Sequence, residues 1–320
     1  MIRPLAFLAP IYAAAVGLKN AAYDRGWKHP QRLKWPVVSV GNLSVGGSGK
    51  TPLVIKLAEL LSAKNVAVDV LSRGYGRSDV DRVERVNAEG DAAQFGDEPL
   101  LIARTAKVPV YVSADRYEAG LLAERDSRGT GIHLLDDGFQ HRKLARALDI
   151  VVVHASDFEE KLLPAGRLRE PLDSLKRASV IVLRAEDRQH EADLRKRGIT
   201  APVWIQQRRL IVEPITGALA FCGIARPDEF FSALRSQGVE LSATRVLRDH
   251  QAYSNAEIER LIAMLRGHEA HSFVTTEKDA ARLSPKQREQ LEQVAPLHVA
   301  RLEVSLEDEE TVVRRLLALL

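Results

Sequence analysis

Hydrophobic and polar positions along most of the chain alternate in a pattern of short buried strands and amphipathic helices. Apolar runs rich in β-branched residues predict strands, and helical periodicity fills the segments between them. The predicted strands of the first two thirds are Val37–Val40, Val66–Leu71, Val108–Val112, Ile132–Leu135, Ile150–Val153, Val180–Leu183 and Val203–Gln206. Predicted helices include Leu53–Ala63, Glu98–Thr105 and Arg116–Arg125. This alternation is typical of an α/β fold with helices on both faces of a parallel sheet.

The alternation is interrupted at residues 208–217, where Pro214 and Gly217 predict a linker. Beyond the linker, the predicted strands are Ala218–Cys222, Thr244–Leu247, Ser272–Thr275 and His298–Val304, and the predicted helices are Asp228–Ser236 and Asn255–Leu265. We therefore predict a larger α/β domain over residues 37–207 and a second, smaller α/β domain over residues 218–320.

The first 36 residues form a third, different segment. Pro4–Leu18 carries no charge, and the basic residues and tryptophans that follow are Lys19, Arg25, Lys28, Arg32, Lys34, Trp27 and Trp35. The apolar run is shorter than the roughly 20 residues that span a bilayer. An apolar helix with a basic flank and tryptophans is typical of a segment lying in a membrane interface beside anionic lipid. We predict such an amphipathic interface helix in residues 1–36; the alternative is a helix packed on the protein's own core.

The first predicted strand leads into a glycine-rich turn, Gly41-Asn42-Leu43-Ser44-Val45-Gly46-Gly47-Ser48-Gly49-Lys50-Thr51-Pro52, and a helix follows. A strand, a glycine-rich loop and a helix in this order favour a P-loop, where backbone N–H groups and the helix N-terminus surround phosphates. Lys50 would contact the β- and γ-phosphates, and the Thr51 hydroxyl would bind Mg²⁺. The predicted phosphate-binding residues are Ser44, Val45, Gly46, Gly47, Ser48, Gly49, Lys50 and Thr51. The general motif has glycine at the position of Ser44, so this loop is a variant.

Two adjacent carboxylates, Asp136 and Asp137, follow the predicted strand Ile132–Leu135. P-loop enzymes place an aspartate opposite the threonine of the loop, where it holds Mg²⁺ directly or through water. Because adjacent side chains at a strand end point in different directions, we predict that Asp136 orients the metal and Asp137 faces the substrate. The alternative is a polar turn with two solvated aspartates.

Two further loops carry arginines at the edge of the sheet where substrates bind. Arg73 and Arg77 follow one strand, and Arg167 and Arg169 lie in a proline-bounded loop after another. All four are candidate contacts for a phosphorylated acceptor; solvated surface arginines are the alternative. Asp97 is explained on spacing alone as the N-cap of the next helix.

Composition narrows the possible classes of protein. Of the 320 residues, 45% are hydrophobic and 28% charged, which is typical of a globular chain. The net charge of +3 gives no argument for a nucleic-acid partner. Cys222 is the single cysteine, so the chain has no disulfide framework or thiolate metal site and suits a reducing compartment.

Taken together, these segments resemble one family, the lipid A 4′-kinases or tetraacyldisaccharide 4′-kinases. The motifs that carry the resemblance are Gly41–Pro52, Ser72–Arg77, Gly96–Pro99, Asp136–His141, Pro164–Pro171, Asp249-His250 with Tyr253, and Thr276–Asp279. A phosphate loop alone is common to many enzymes, whereas this ordered set, which runs from residue 41 to 279, is highly specific. Ser44 also fits this family's own version of the loop.

The resemblance implies Mg²⁺-dependent transfer of the γ-phosphoryl of ATP to the 4′-hydroxyl of a tetraacylated glucosamine disaccharide 1-phosphate, giving the 1,4′-bisphosphate in lipid A biosynthesis. It implies a P-loop fold whose smaller domain completes the active site, and peripheral attachment to the cytoplasmic face of the bacterial inner membrane. Asp97 would activate the acceptor hydroxyl and His250 would support it, with Lys50 and Asp137 as the other catalytic residues. We expect a monomer and no nucleic-acid partner.

A P-loop nucleotide switch or partition-type ATPase acting through protein partners is the alternative function. It predicts slow hydrolysis without an acceptor. A GTP-dependent switch also needs a guanine-binding motif, and Thr275-Thr276-Glu277-Lys278-Asp279 lacks the asparagine and lysine at their required places. A small-molecule kinase on the same fold would leave the apolar and basic N-terminal segment unexplained.

Overall fold

The computed structural model describes residues 6–47, 49–249 and 251–320 of the chain. The first residues of the predicted interface segment, and the predicted site residues Ser48 and His250, therefore lie outside the described residues.

Twelve strands of the described part form one sheet. They are β1 (Val37–Asn42), β2 (Ala67–Ser72), β3 (Glu84–Arg85), β4 (Val110–Val112), β5 (Gly131–Asp136), β6 (Leu148–Val152), β7 (Val180–Arg184), β8 (Val203–Ile211), β9 (Ala218–Cys222), β10 (Leu241–Val246), β11 (Ser272–Thr276) and β12 (Leu297–Leu306). Their order across the sheet is β10-β9-β11-β12-β8-β7-β6-β1-β5-β2-β4-β3. Strand β1 is thus flanked by β6 and β5, which places the loop after β1 beside the end of β5.

The α/β fold class predicted from the pattern is confirmed, with a sheet that is mostly parallel. The pairs β3–β4 and β8–β12 are antiparallel, and the other pairs along the sheet are parallel. The pattern did not predict the two-residue strand β3, because so short a run carries no periodicity.

Helices cover both faces of the sheet. They are α1 (Ala9–Asp24), α2 (Lys50–Ser62), α3 (Ala92–Phe95), α4 (Asp97–Ala106), α5 (Arg116–Asp126), α6 (Glu191–Lys196), α7 (Pro227–Ser236), α8 (Asn255–Gly267), α9 (Glu277–Arg282), α10 (Pro285–Glu292) and α11 (Glu309–Leu317). Helix α2 packs on one face through Leu53, Leu57 and Leu61, which its periodicity places on one side and which are fully buried. Helix α5 packs on the opposite face through Ala119 and Ala123. The phosphate-loop helix is therefore fixed by the main core, where a leucine-to-alanine change typically costs about 2–5 kcal/mol.

The two predicted domains share this sheet. Strand β8 continues to Ile211, so residues 208–211, which we predicted as the start of a linker, are strand. The last strand, β12, pairs antiparallel with β8 from Arg301 to Leu306 and parallel with β11. Residues 206–209 are the polar run Gln-Gln-Arg-Arg, which has no apolar alternation and so obscured the length of β8 in the sequence. The division into domains at residues 37–207 and 218–320 stays a prediction.

Helix α1 lies on the surface beside the loops at the edge of the sheet. None of its residues is buried. Polar contacts hold it in place: the Tyr12 hydroxyl donates to the Arg169 carbonyl at 3.0 Å, and the Asn20 amide donates to Glu170 at 2.6 Å. The described residues of this helix therefore contact the protein at its surface, and the membrane contact stays a prediction. Across those residues, no helix combines the length and apolar character needed to cross a membrane.

Candidate active site

The glycine-rich loop has the backbone of an anion-binding turn. Gly46 has a φ of 98°, and Gly49, which precedes helix α2, has a φ of 84°, a left-handed conformation that side chains rarely adopt. Among the described residues, no side chain caps the N-terminus of α2. The N–H groups at the start of α2 therefore remain directed at the loop, where a phosphate would bind them.

The segment of residues 163–169 holds this loop in place. Ser44 bridges to Leu168, and the Val45 N–H donates to the Arg167 carbonyl at 2.8 Å. The Arg167 guanidinium in turn donates to the Val45 carbonyl, with Nη2 at 3.0 Å. Arg167, which the sequence suggested as an acceptor contact, is thus placed on the phosphate loop itself. Its contact with the acceptor stays a prediction.

Lys50, Asp137 and Arg169 meet at the end of the loop. Lys50 Nζ lies 3.4 Å from Asp137 Oδ1 and donates to Asn42 Oδ1 at 3.0 Å. Arg169 Nη1 donates to Asp137 Oδ1 at 3.0 Å and Oδ2 at 2.9 Å. Burial alone would raise the pKa of Asp137, but Lys50 and Arg169 outweigh it and lower the pKa to about 2. Asp137 is therefore a permanent anion beside the predicted phosphate-binding lysine.

Asp136 ends strand β5 in a different environment. It is 2% exposed, and the Ser72 hydroxyl donates to its Oδ2 at 3.3 Å. Burial, followed by the nearby carboxylates of Glu98 and Asp137, raises the pKa of Asp136. Its Oδ1 is enclosed and has no hydrogen-bond partner among the described residues. An enclosed carboxylate oxygen without a donor is what a hard cation would satisfy.

The residues at the end of the phosphate loop are suited to hold Mg²⁺ in the way that P-loop proteins do. Thr51, on the first turn of α2, is 9% exposed and supplies a hydroxyl oxygen, and Asp136 supplies the carboxylate. In the described part of the chain, no group of three His, Cys, Asp or Glu side chains can hold a metal ion. A P-loop site does not need one, because Mg²⁺ there is held by one or two protein oxygens, nucleotide phosphates and water.

Asp97 occupies the start of helix α4. The N-cap is Gly96, with a φ of 89°, and Asp97 is the first helical residue, so its predicted N-cap assignment is wrong by one residue. The carboxylate accepts from the Glu98 N–H at 2.9 Å, and the residue is 4% exposed. Lys278 of α9, in the C-terminal region, lies 3.8 Å from Asp97 Oδ2. Capping thus does not explain the burial of this carboxylate.

The two arginines after strand β2 have different surroundings. Arg73 is exposed and lies near the buried Arg116. The Arg77 side chain is enclosed, and its Nη2 donates to the carbonyls of Val80 at 2.5 Å and Arg82 at 2.6 Å. These contacts support a role for Arg77 in ordering its own loop. Contact of either arginine with the acceptor stays a prediction.

Sequence reasoning missed several charged residues of this region. Arg116 begins helix α5 and is 7% exposed; burial and Arg73 lower the pKa of Arg116 to about 10, although Asp137 and Asp136 lie near it. Its position directly after strand β4, at the carboxyl edge of the sheet, is a signal that could have found it. Arg208 lies in the segment predicted to be a linker, and the Thr276–Asp279 motif contributed to the family resemblance without indicating a role for Lys278.

A cavity of about 640 Å³ lies between the phosphate loop and the C-terminal region. Gly46, Gly47, Gly49, Lys50 and Thr51 line one side. The other side carries both apolar and charged residues, Leu210, Ile224, Phe230, Ala233, Leu302, Arg208, Glu229 and Lys278. This cavity has phosphate-binding groups at one end and an apolar wall beyond them. It therefore fits a nucleotide, whose phosphates are charged and whose base is largely apolar.

The fold and this site define a P-loop nucleotide-binding protein. The family model for tetraacyldisaccharide-1-P 4′-kinase (LpxK) matches residues 1–320, and the chain belongs to this family. The tetraacyldisaccharide 4′-kinase of Koribacter versatilis is 43% identical, over 98% of each chain. The corresponding kinase of Geobacter metallireducens is 39% identical, over 95% of this chain and 94% of its own.

A solved structure has the same architecture. LpxK from Aquifex aeolicus, crystallised in complex with ATP, matches with a TM-score of 0.75 and 29% identity over 98% of each chain. The family membership suggested by the ordered motifs is therefore confirmed, and the switch-type ATPase is not favoured.

Proposed function

We propose that this chain transfers the γ-phosphoryl group of ATP to the 4′-hydroxyl of a tetraacylated glucosamine disaccharide 1-phosphate, a step of lipid A biosynthesis. The observation that carries this proposal is that Lys50 and Thr51 line one cavity with Glu98 and Lys278, directly beside Asp97. A phosphate-binding loop and a buried carboxylate are thus close enough to serve one transfer reaction. The relatives named above carry this activity in their names, which supports the same assignment here.

In this proposal the phosphate loop binds ATP, and the carboxylates of the site have different roles. Residues 44–51 and the N-terminus of α2 bind the phosphates of ATP, with Lys50 at the β- and γ-positions. Thr51 and Asp136 would hold Mg²⁺, whose positive charge would stabilise the negatively charged phosphates. Asp137, bound to Lys50 and Arg169, keeps the lysine oriented and faces the substrate.

Asp97 is the proposed base for the acceptor. A sugar hydroxyl is a weak nucleophile, so a carboxylate that takes its proton as the new bond forms increases the rate, typically about 10²–10⁴-fold. We keep His250 as its proposed supporting partner, and Arg73, Arg77, Arg167 and Arg169 as candidates for the acceptor phosphates. Residues 37–207 and 218–320 act as two domains in this proposal, the smaller completing the site and excluding water.

The N-terminal helix is the proposed contact with the membrane. Phe7, Ile11 and Leu18 are 72%, 66% and 66% exposed and share one face by helical spacing, while Tyr12 and Asn20 hold the helix to the protein. An exposed apolar stripe beside a basic segment fits the surface of an anionic leaflet. We propose peripheral association of a monomer with the cytoplasmic face of the inner membrane, where an acylated substrate resides.

The test is transfer of label from γ-³²P-ATP, with Mg²⁺, to the disaccharide 1-phosphate dispersed in detergent. We expect label in the lipid, and none with the Lys50→Ala variant. Phosphate released only to water, with or without the lipid, would instead support the nucleotide-switch function. Vesicle flotation with and without residues 1–20 tests the membrane contact, because the shortened chain should remain in the unbound fraction.

A further inference from the structure

Helix α9 directs two cationic side chains at Asp97 from the C-terminal region. Lys278 and Arg282 are separated by one helical turn and so lie on the same face of the helix. Lys278 Nζ lies 3.8 Å from Asp97 Oδ2, and Arg282 Nε lies 3.9 Å from the same oxygen. The carboxylate proposed to act as the base thus faces two positive charges supplied by a distant part of the chain.

These groups are shielded from water. The Asp97 and Arg282 side chains are each 5% exposed, and that of Lys278 is 19% exposed. Opposite charges at this distance interact more strongly when they are enclosed than when they are on the surface. The pairing therefore has a larger effect on the ionisation of Asp97 than an exposed ion pair would have.

Among the described residues, Lys278 also contacts two further carboxylates, while His250, the proposed partner of Asp97, lies outside the described residues. Lys278 Nζ lies 3.1 Å from Glu98 Oε1 and 3.7 Å from Asp249 Oδ1, so Asp97 shares the lysine with two carboxylates. Burial alone would lower the pKa of Lys278, but Glu98, Asp97 and Asp249 outweigh it and raise that pKa. Lys278 thus remains a cation throughout the range in which the enzyme is assayed.

Asp279 fixes the orientation of α9. It is fully buried and accepts from the Gly223 N–H at 2.8 Å and from the Tyr253 hydroxyl at 2.8 Å. The Thr276 hydroxyl caps the helix by accepting from the Asp279 N–H at 3.0 Å. Asp279 also pairs with Arg282. The helix face that carries Lys278 and Arg282 is therefore held in one orientation towards Asp97.

We propose that Lys278, supported by Arg282, is a positioning residue that keeps the Asp97 carboxylate ionised and oriented towards the acceptor hydroxyl. This inference rests on the proposed role of Asp97. In that step, the hydroxyl proton moves to the Asp97 carboxylate while the hydroxyl oxygen bonds to the γ-phosphorus. The bond from that phosphorus to the bridging oxygen breaks, and ADP leaves with the electron pair. A protonated Asp97 could not accept the proton, so the neighbouring cations extend its activity to lower pH.

The experiment compares Lys278→Met with Lys278→Arg, and uses Lys286→Met, an exposed lysine of α10, as the control. A nearby opposite charge lowers a carboxyl pKa by about 1–3 units. We expect Lys278→Met to move the acid limb of the kcat profile upwards by about one pH unit, and to lower kcat about tenfold on that limb. The KM for ATP should change less than about twofold, since Lys278 acts on the base in this account. Lys278→Arg should restore most of the activity, and Lys286→Met should match the wild type.

Two further measurements separate this inference from the proposed function. In an Asp97→Asn background, Lys278→Met should cause no additional loss of kcat, because its partner is already neutral. A ¹³C NMR titration of aspartate-labelled protein should show a raised pKa for the Asp97 carboxyl in Lys278→Met, whether or not the acceptor is phosphorylated. Thermal unfolding of each variant checks that the fold is retained.

An equal loss of kcat at every pH, or an Asp97 carboxyl that titrates as in the wild type, would overturn the inference. Failure of Lys278→Arg to restore activity would also overturn it, because a positive charge would then be insufficient. Absence of lipid phosphorylation by the wild type would overturn the proposed function, while the NMR titration would still decide the pairing of Lys278 with Asp97.

Discussion

Replacing Gly41 by alanine tests how the strand before the phosphate loop supports the catalytic turn. A Cβ atom on Gly41 would lie 2.5 Å from Phe139 Cβ and 2.7 Å from the Phe139 backbone nitrogen. Phe139 is fully buried, and both clashing atoms belong to or adjoin the backbone, so no side-chain rotation relieves the contact. Strand β1 and the turn that carries Asp137 must therefore separate by about 1 Å to reach an ordinary packing distance.

The magnitude follows from that displacement. Overpacking of a buried site typically costs about 1–3 kcal/mol, and replacing glycine by alanine recovers about 0.4–1 kcal/mol through the unfolded chain. We therefore expect Gly41→Ala to lower the free energy of unfolding by about 1–2 kcal/mol. A displacement of about 1 Å between reacting groups costs on the order of 100-fold in rate, so kcat should fall about 100-fold.

The assay combines urea unfolding with steady-state transfer to the lipid acceptor, and Gly267→Ala serves as the control. Gly267 is the last residue of α8, and an added Cβ there has no atom within 4 Å among its described surroundings. That variant should be as stable as the wild type or more so, with unchanged kcat. If Gly41→Ala behaved like Gly267→Ala, the close packing of β1 against the catalytic turn would be refuted.

Three further predictions concern the metal, the phosphates and the membrane. Because burial, Glu98 and Asp137 raise the pKa of Asp136, the folded chain binds a proton there that the unfolded chain has released, so Asp136 contributes a downward slope to the stability of the metal-free protein as the pH rises from about 4 towards neutrality. Asp136→Asn should flatten this slope and remove stabilisation by Mg²⁺-ATP in urea unfolding, and a slope unchanged from the wild type would contradict the burial argument. Lys50→Ala should weaken ATP binding at least tenfold by calorimetry while the fold is retained, since one charge-assisted contact is worth about 1.5–3 kcal/mol; wild-type affinity would remove Lys50 from the phosphate site. Replacing Ile11 and Leu18 by serine should reduce vesicle binding without changing the free energy of unfolding, because α1 buries no residue; loss of stability instead would indicate that the apolar stripe packs on the protein.

The sequence was sufficient to predict the α/β class and the catalytic edge of the sheet. The strands with the strongest β-branched character, such as Val37–Val40 and Val180–Leu183, were predicted within about two residues of their observed ends. The P-loop could be recognised because its glycines, lysine and threonine are contiguous. The positions of Asp136 and Asp137 at this edge could be predicted because both residues follow the end of one predicted strand.

The unpredicted features depend on contacts between distant segments. The antiparallel pairing of β12 with β8 joins residues separated by about a third of the chain, and no local periodicity encodes it. The sequence suggested that Arg167 and Arg169 contact the acceptor, but in the structure Arg167 contacts Val45 and Arg169 contacts Asp137. Lys278 could be related to Asp97 only after α9 was placed against α4, since 181 positions separate the two residues in the sequence.

The central claim is that the phosphoryl group is transferred to one hydroxyl of an acylated disaccharide. The most direct measurement is purification of the lipid product after incubation with Mg²⁺-ATP, followed by ¹H–³¹P correlation NMR to locate the new phosphate. The account predicts a phosphate coupled to the proton at the 4′ position, beside the original phosphate at position 1. A new phosphate at any other position, or a lipid recovered unchanged while ATP is hydrolysed, would contradict it.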